Sequence, residues 1–154
     1  VLKFERAYIA GFLDADGAIM ALIERHKEKR FGFRVRVMIK FTQRDSDILK
    51  WVHHKLQTGV VRTNRLGSNR QTHDLNIRDQ QAIMRVIAEL QPHIRVKYKQ
   101  AEYALKILQH TISSEDDLLH VAQLADALSR FNVRSKNRRK NFATKIQEHF
   151  SCND

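Results

Sequence analysis

The segment at residues 8–18, Y-I-A-G-F-L-D-A-D-G-A, ends an apolar stretch in two carboxylates and a glycine. Residues 3–13 contain no proline and consist mostly of good helix formers, which predicts a helix over that range. Apolar side chains occur on nearly every side of this helix, as expected for a helix that is buried. Gly17 is expected to end it, because glycine readily adopts the positive φ of a helix C-terminus.

One face of this helix is formed by small residues. The positions i, i+3, i+4 and i+7 lie on one side of a helix, and here they are occupied by Ala7, Ala10, Gly11 and Asp14. Three of these side chains are the smallest available, so a second backbone can approach this face closely. The face is therefore a candidate interface with another helix.

Asp14 and Asp16 lie at the predicted C-terminal end of the helix, where the macrodipole is negative and carboxylates are unfavourable. A divalent cation would neutralise the two acids and the free carbonyl groups. Mg²⁺ takes oxygen ligands and usually only one or two protein carboxylates, with phosphate and water completing its shell. A solvated turn is the alternative, and taken alone it is the commoner origin of an Asp-x-Asp-Gly string.

The composition favours a folded chain with a polyanionic partner. The chain has 154 residues, 42% of them hydrophobic, which fits one domain over residues 1–154. Its formal net charge of +11 favours nucleic acid, and less strongly an anionic membrane. No stretch is long and apolar enough for a membrane span or a signal peptide. No membrane partner is expected, because the basic residues lie on predicted strands rather than on an amphipathic helix. The single cysteine, Cys152, excludes an intramolecular disulfide and a cysteine-rich zinc site.

Apolar and polar residues alternate at 18–25 and 33–41, on either side of a charged turn, which predicts an antiparallel ribbon with one buried face. A two-stranded ribbon fits the major groove of DNA, where base readout uses polar and apolar side chains as well as basic ones. A solvated sheet face is the alternative for the basic residues. The candidate DNA-binding residues of this ribbon are Met20, Leu22, Glu24, His26, Arg34, Arg36, Met38 and Lys40.

The following residues predict a helix at 45–57, a second hairpin at 59–66 and 72–78, and a helix at 79–90. Leu75 and Ile77 point inward in this hairpin. The order αββαββα predicts an α+β fold with one curved antiparallel sheet, whose polar concave face would hold DNA. The outer face of the second hairpin adds the candidates Arg62, Asn64, Asp74, Asn76 and Arg78, and Arg34, Arg36, Lys40, Arg62 and Asn76 are the candidates for base contact.

Additional helices are expected at 97–109, 114–131 and 142–150. A strongly basic loop at 132–141 precedes the last helix and is expected to contact backbone phosphates, although a solvated segment is the alternative. Its candidate residues are Lys136, Arg138, Arg139 and Lys140.

The segment ending in Gly17 resembles the signature helix of the LAGLIDADG homing endonucleases, with matches at Ala10, Gly11, Leu13, Asp14, Ala15, Asp16 and Gly17. The stretch L-Q-P-H-I-R-V-K-Y-K-Q-A-E-Y-A-L-K-I resembles the single-motif branch encoded by group I introns. The resemblance implies that Asp16 is the carboxylate metal ligand, that the Ala15 carbonyl assists, and that the helix packs against a second copy of itself. It also implies Mg²⁺ as cofactor, with Mn²⁺ substituting and Ca²⁺ supporting binding without cleavage, and no small-molecule cofactor.

Gln43 and Lys97 resemble the active-site glutamine and lysine of that branch, whose implied role is to order waters and stabilise charge near the scissile phosphate. Without the resemblance both would be read as surface residues. Arg78 is a candidate for a neighbouring phosphate. One position departs from the pattern, because Asp47 stands where the branch often has a basic residue. Arg44 could substitute, Asp47 could be a helix-start acid, or the enzyme could be weak.

The chain contains only one such motif. A double-strand break requires that two strands are cut, and one Asp16 can act on only one of them. A homodimer with isologous symmetry is therefore expected, acting on a long pseudo-palindromic site. The resemblance implies a site-specific double-strand break by metal-dependent phosphodiester hydrolysis, which promotes intron mobility. No transit peptide is visible, which fits a protein made where it acts, in an organelle such as a chloroplast or in a prokaryotic cytoplasm.

Two other functions are compatible with the same scaffold. An RNA maturase would assist splicing of its own group I intron, and Asp47 mildly favours this alternative. A non-catalytic DNA-binding regulator is the other, against which Asp16, Gln43 and Lys97 argue.

Overall fold

The structure, a computed structural model, describes residues 1–132 and 140–152. Within these residues the chain forms six α-helices, a 3₁₀ helix and four strands. Their bounds are α1 Lys3–Asp16, β1 Gly17–Arg25, β2 Phe33–Gln43, α2 Ser46–Leu56, β3 Val60–Asn64, β4 Thr72–Ile77, α3 Gln80–Leu90, the 3₁₀ helix Gln91–His93, α4 Tyr98–Gln109, α5 Glu115–Asn132 and α6 Phe142–Ser151. This order confirms the predicted αββαββα arrangement with additional C-terminal helices.

The four strands form one antiparallel sheet in the order β1-β2-β4-β3. Alternation places Ile19, Val37, Ile39, Leu75 and Ile77 on one face, where they are buried in a core shared with the helices. The opposite face carries the polar and basic side chains. The helices therefore cover the apolar face of the sheet and leave the polar face open.

Helix α1 is buried on one side only, which corrects the expectation of a helix buried all round. Ile9, Ala10 and Leu13 are fully buried, whereas Phe4 and Tyr8 are 70% and 54% exposed. The apolar residues of the opposite side are therefore only partly covered within the part of the chain that the structure describes.

The turn between α1 and β1 depends on glycine for a reason other than the predicted one. Gly17 is extended, with φ −101° and ψ 173°, so a positive φ is not used. A Cβ atom at this position would lie 2.5 Å from Leu13 Cδ1 and 2.7 Å from the Leu13 carbonyl oxygen. Strand β1 turns away from α1 directly after Asp16, and this turn leaves no room for a side chain at position 17. Glycine at that position therefore keeps Asp16 next to the start of β1.

Side-chain caps fix the starts of three helices, α2, α3 and α5. Asp45 accepts from the Asp47 amide at 2.8 Å, and Asp79 accepts from the Ala82 amide at 2.7 Å. Ser114 caps α5 by accepting from the Asp117 amide at 3.0 Å.

Among the described residues, no helix is long and apolar enough to span a membrane.

Candidate active site and nucleic-acid interface

Asp16 and Gln43 are brought together where α1 meets the sheet. Asp16 is the last residue of α1 and Gln43 is the last residue of β2. Because Gly17 pairs with Phe41 in the ladder, the end of β2 extends past the end of the helix. Gln43 Nε2 donates a hydrogen bond to Asp16 Oδ2 at 3.1 Å, and Gln43 Oε1 accepts from the Arg44 amide at 2.8 Å. The second contact holds the glutamine amide with its donor toward the carboxylate.

Lys97 reaches the same helix end from a loop distant in sequence. Its Nζ donates to the carbonyl oxygen of Asp14, one of the carbonyls that the end of α1 leaves without a helical partner. The loop itself is held by the Asp14 carboxylate, which accepts from the amides of Arg95, Val96 and Lys97 at 2.7, 3.0 and 2.9 Å. The predicted residues Asp16, Gln43 and Lys97 thus surround one end of α1.

The Asp14 carboxylate is ionised by its surroundings. Partial burial raises its pKa, but the hydrogen bonds from the amides of Arg95, Lys97 and Val96, together with the charge of Lys97, outweigh that effect and lower the pKa below its ordinary value. Both carboxylate oxygens already accept hydrogen bonds. The chain itself therefore supplies hydrogen-bond partners to both oxygens of Asp14, and Asp16 remains the candidate metal ligand.

Asp16 and Ala15 are both exposed at this end of the helix. A carboxylate and a backbone carbonyl are hard oxygen donors, the type that Mg²⁺ prefers. In the described ranges no group of three or more His, Cys, Asp or Glu side chains could hold a metal ion. This donor set fits an ion that takes few protein ligands and fills the rest of its shell with phosphate and water.

The structure exposes only part of the predicted dimer face of α1. Ala7 and Gly11 are exposed, and a Cβ atom on Gly11 would meet nothing within 4 Å. Ala10 is completely buried in the chain's own core, and the Asp14 carboxylate accepts hydrogen bonds from residues 95–97, so neither presents a free side chain on this face. Their part in a dimer interface stays a prediction. The exposed face instead combines Ala7 and Gly11 with the large side chains of Phe4 and Tyr8, at helical spacing.

Phe4 and Tyr8 were not among the interface candidates, although their i, i+4 spacing and apolar bulk were visible in the sequence. Tyr8 packs edge-on against Trp51 of α2, with ring centroids 5.5 Å apart. Together with Ile48, these residues line an open apolar depression of about 320 Å³ beside the exposed face of α1.

The strand register places the predicted DNA-binding residues on one face of the sheet. Met20 pairs with Met38, Leu22 with Arg36, and Glu24 with Arg34. Lys40 pairs with Asn76, and Arg62 pairs with Asp74, which extends the same face across β4 and β3.

Asp74 lies on this face but its carboxylate is already paired. Its side chain is 7% exposed, and it forms an ion pair with Lys40 at 2.7 Å and accepts from Thr42 Oγ1 at 2.7 Å. Burial raises the pKa of Asp74, but these contacts and one from Asn64 lower it below its ordinary value. In the structure the Asp74 carboxylate serves as an internal counter-ion to Lys40, and a direct contact of Asp74 with DNA stays a prediction.

The remaining candidates lie at the margins of the sheet. His26 is in the turn after β1, where its amide donates to the Gly32 carbonyl at 2.9 Å. Arg78 is exposed between β4 and α3, and Arg62 and Asn76 line a shallow groove beside it. Lys140 is exposed with its ammonium 6.0 Å from the Phe142 ring centre. Lys136, Arg138 and Arg139 lie outside the described residues.

The model of the LAGLIDADG endonuclease family matches residues 9–107. The chain belongs to the LAGLIDADG endonuclease family. The match extends from α1 into α4 and so includes Asp16, Gln43 and Lys97.

Similar proteins support this assignment over most of the chain. The DNA endonuclease I-CreI of Chlamydomonas reinhardtii is 30% identical over 130 residues, which are 81% of this chain and 77% of the relative. The homing endonuclease I-CvuI, known from Chlorella vulgaris, has been solved with the I-CreI target in 2 mM Mg, with the DNA not cleaved. That structure has a TM-score of 0.85 at 25% identity, and covers 97% of this chain and 94% of its own.

A second I-CvuI complex, with its own target in 2 mM Ca, has a TM-score of 0.82 at 26% identity and covers 94% of this chain and 91% of its own. The prediction of a LAGLIDADG homing endonuclease, made from the sequence, is confirmed by these matches.

Asp47 is the residue at which the sequence departs from the resemblance. It is exposed in the first turn of α2, and its carboxylate accepts from Lys50 Nζ at 2.7 Å. The hydrogen bond and the charge of Lys50 lower the pKa of Asp47. The contact is local, as expected of an acid at a helix start.

Proposed function

We propose that this LAGLIDADG protein acts as a metal-dependent homodimeric endonuclease that hydrolyses one phosphodiester on each strand of a long DNA site. The observation that carries the proposal is the convergence of Asp16, Gln43 and Lys97 at the exposed end of α1. The open polar face of the sheet begins at that point, so bound DNA would pass directly over these three residues. Its site of action is the compartment that holds the target genome.

Asp16 and the Ala15 carbonyl would hold the metal ion, because both are exposed oxygen donors at the negative end of a helix. Mg²⁺ is the proposed ion, Mn²⁺ would substitute, and Ca²⁺ would support binding without cleavage. When bound, such an ion supplies an activated water and neutralises charge that develops on the reacting oxygens.

Gln43 and Lys97 would act through their own polar groups. The Gln43 amide, already oriented by the Arg44 amide, orients the Asp16 carboxylate and can order a water beside it. The Lys97 ammonium brings a positive charge to the end of α1, where it would stabilise negative charge on the scissile phosphate. Arg78, exposed beyond β4, would contact a neighbouring phosphate.

A second copy would supply the other active site. The exposed face of Phe4, Ala7, Tyr8 and Gly11 is apolar and open, and Gly11 leaves room for the close approach of another helix. Two copies of this face, related by a two-fold axis, would place two Asp16 residues near one another and demand a pseudo-palindromic target.

The dimer proposal can be tested with Gly11→Leu. Leucine favours helix and meets no atom within 4 Å of its Cβ in the single chain, so the fold of one chain should tolerate it. We expect the variant to sediment as a monomer with an unchanged far-ultraviolet circular dichroism spectrum, and to lose double-strand cleavage. A variant that remains dimeric would exclude this face as the interface.

The DNA proposal rests on charge and on the polar sheet face. A dimer carries a formal charge of +22, twice the +11 of one chain, so binding should weaken steeply as salt rises. The face presents Arg34, Arg36, Lys40 and Arg62 beside apolar Met20, Leu22 and Met38, which suits readout in the major groove.

The decisive experiment is a selection from random duplex DNA in Ca²⁺, followed by addition of Mg²⁺ to the enriched pool. We expect a long pseudo-palindromic site that is cut on both strands only after Mg²⁺ is added. Asp16→Asn should bind this site as the parent does and fail to cut it, whereas Asp116→Asn, an exposed control in α5, should behave as the parent does.

The other outcomes separate the alternatives. Enrichment of a site that the parent does not cut would point to a DNA-binding regulator and implicate Asp47 in the loss of activity. If no duplex site is enriched, binding to structured intron RNA would replace this proposal. Loss of DNA binding in Asp16→Asn would make Asp16 structural.

A further inference from the structure

Glu24 joins two arginines on the polar face of the sheet. It stands directly opposite Arg34 in the β1–β2 ladder, and Arg36 is its diagonal neighbour. Glu24 Oε2 accepts from Arg34 Nη2 at 3.0 Å, and Glu24 Oε1 accepts from Arg36 Nη2. One carboxylate therefore uses both of its oxygens to hold two guanidinium groups.

The stability of the fold does not account for this arrangement. The side chains of Glu24, Arg34 and Arg36 are 40%, 35% and 31% exposed, and ion pairs at such positions contribute little to folding because solvent screens them. A carboxylate on a face that meets DNA also repels phosphates. Asp74 differs, since it is almost fully buried beside Lys40 and acts within the sheet.

The contacts of Glu24 leave each arginine able to bind a further group. Each contact uses one terminal nitrogen of a guanidinium that carries five N–H donors. Arginine recognises guanine by donating to O6 and N7, and a guanidinium already held in place loses less freedom on binding. Arg34 and Arg36 are two residues apart on β2 and point to the same face, so they are presented side by side.

We propose that Glu24 is a positioning residue for DNA specificity, which holds Arg34 and Arg36 as a preformed pair that reads neighbouring guanines. This inference rests on the proposed function, in which the polar sheet face binds DNA. The same carboxylate disfavours other sequences, because arginines held on Glu24 are not free to turn toward phosphates and its own charge repels the backbone. Glu24 does not read a base itself, since both of its oxygens are occupied.

Glu24→Gln tests this proposal, with Glu28→Gln as the matched control. Glu28 is exposed in the turn of the same hairpin and forms no ion pair with any residue that the structure describes, so the control makes the same charge change. Affinities for the selected duplex and for random duplex are measured in Ca²⁺, and the selection is repeated with each variant.

For Glu24→Gln we expect the ratio of specific to random affinity to fall about tenfold, because guanine contacts by arginine supply discrimination of that order. Part of the fall should be tighter binding of random duplex, since the repelling carboxylate is lost and the arginines are free to turn toward phosphates. Sites that are selected again with Glu24→Gln should no longer prefer guanine at the base positions that face β2. Glu28→Gln should keep that preference and a ratio within about twofold of the parent, as expected of a rim charge.

An unchanged base preference in Glu24→Gln, or a ratio equal to that of Glu28→Gln, would overturn the positioning role while leaving the proposed endonuclease intact. Failure of the parent itself to enrich any duplex site would overturn both proposals together. Thermal unfolding of each variant separates these outcomes from a folding defect, since a positioning role changes base preference at temperatures where the variant is fully folded.

Discussion

The contact between Asp14 and residues 95–97 provides the sharpest test of how the active site is assembled. Asp14→Ala removes a carboxylate that accepts three backbone hydrogen bonds of 2.7–3.0 Å. Each such bond contributes about 1 kcal/mol net. Water can replace part of this set because two of the three bonds are exposed, so the expected loss of unfolding free energy is about 2 kcal/mol.

In a chain of this length a loss of that size lowers the melting temperature by about 4–8 °C. Asp14→Asn keeps one acceptor oxygen and should lose about half as much. Melting should be followed by circular dichroism at one fixed protein concentration, because the stability of a dimer depends on concentration. Asp116→Asn is the control, since Asp116 is exposed and forms no hydrogen bond or ion pair with the described residues.

The effect of Asp14 on stability should depend on pH in a defined direction. Its folded pKa lies below the ordinary value of 3.8, so the carboxylate contributes its stabilisation above that pH. The contribution is lost as the pH falls through the folded pKa. The difference in unfolding free energy between the parent and Asp14→Asn should therefore be full at neutral pH and shrink below pH ~4.

Asp14 should also affect cleavage, since the same hydrogen bonds place Lys97 at the end of α1. At 25 °C, where the variant is folded, cleavage by Asp14→Asn should be slower by at least about tenfold, because small displacements of catalytic groups are costly. A melting temperature of Asp14→Ala within about 1 °C of the parent, with normal cleavage, would refute this account of the loop.

Three further predictions concern single contacts. Gly17→Ala should lower the unfolding free energy by about 1–3 kcal/mol in urea titration, because its Cβ would overlap Leu13, and a neutral result would mean that the helix end moves freely. Asp74→Asn should lose about 1–2 kcal/mol as Lys40 loses its partner, and the loss should disappear at a pH below the depressed pKa of Asp74. Ser114→Ala should cost about 1 kcal/mol in the same titration, since it removes the cap of α5, and an unchanged midpoint would contradict the capping role.

Local patterns were sufficient for the order of the elements. Alternation at 18–25 and 33–41 identified β1, β2 and their polar face, and the register confirms that Met20, Arg34, Arg36 and Lys40 share it. The helices predicted at 45–57 and 114–131 begin within a residue of α2 and α5 as the structure has them. These predictions succeeded because periodicity depends on residues close together in the chain.

Sequence patterns gave less where the answer depended on distant residues. Ala10 lies on the small-residue face of the helix but is buried in the core, and Asp74 lies on the polar face of the sheet but pairs with Lys40. Periodicity states which side chains share a face, and it does not state which of them meet the chain's own core.

The sequence by itself determined the family, the αββαββα order and the types of residue at the C-terminal end of α1, where Asp16 lies. Only the tertiary structure showed that Asp14 is held by residues 95–97, 81 residues or more along the chain, and that Glu24 joins Arg34 to Arg36. The physical reason is that hydrogen bonds and ion pairs are decided within a few ångströms. Asp14 and residues 95–97 come within that range only after the helices and the sheet have packed, and Glu24 meets its arginines only in the register that the β1–β2 pair adopts.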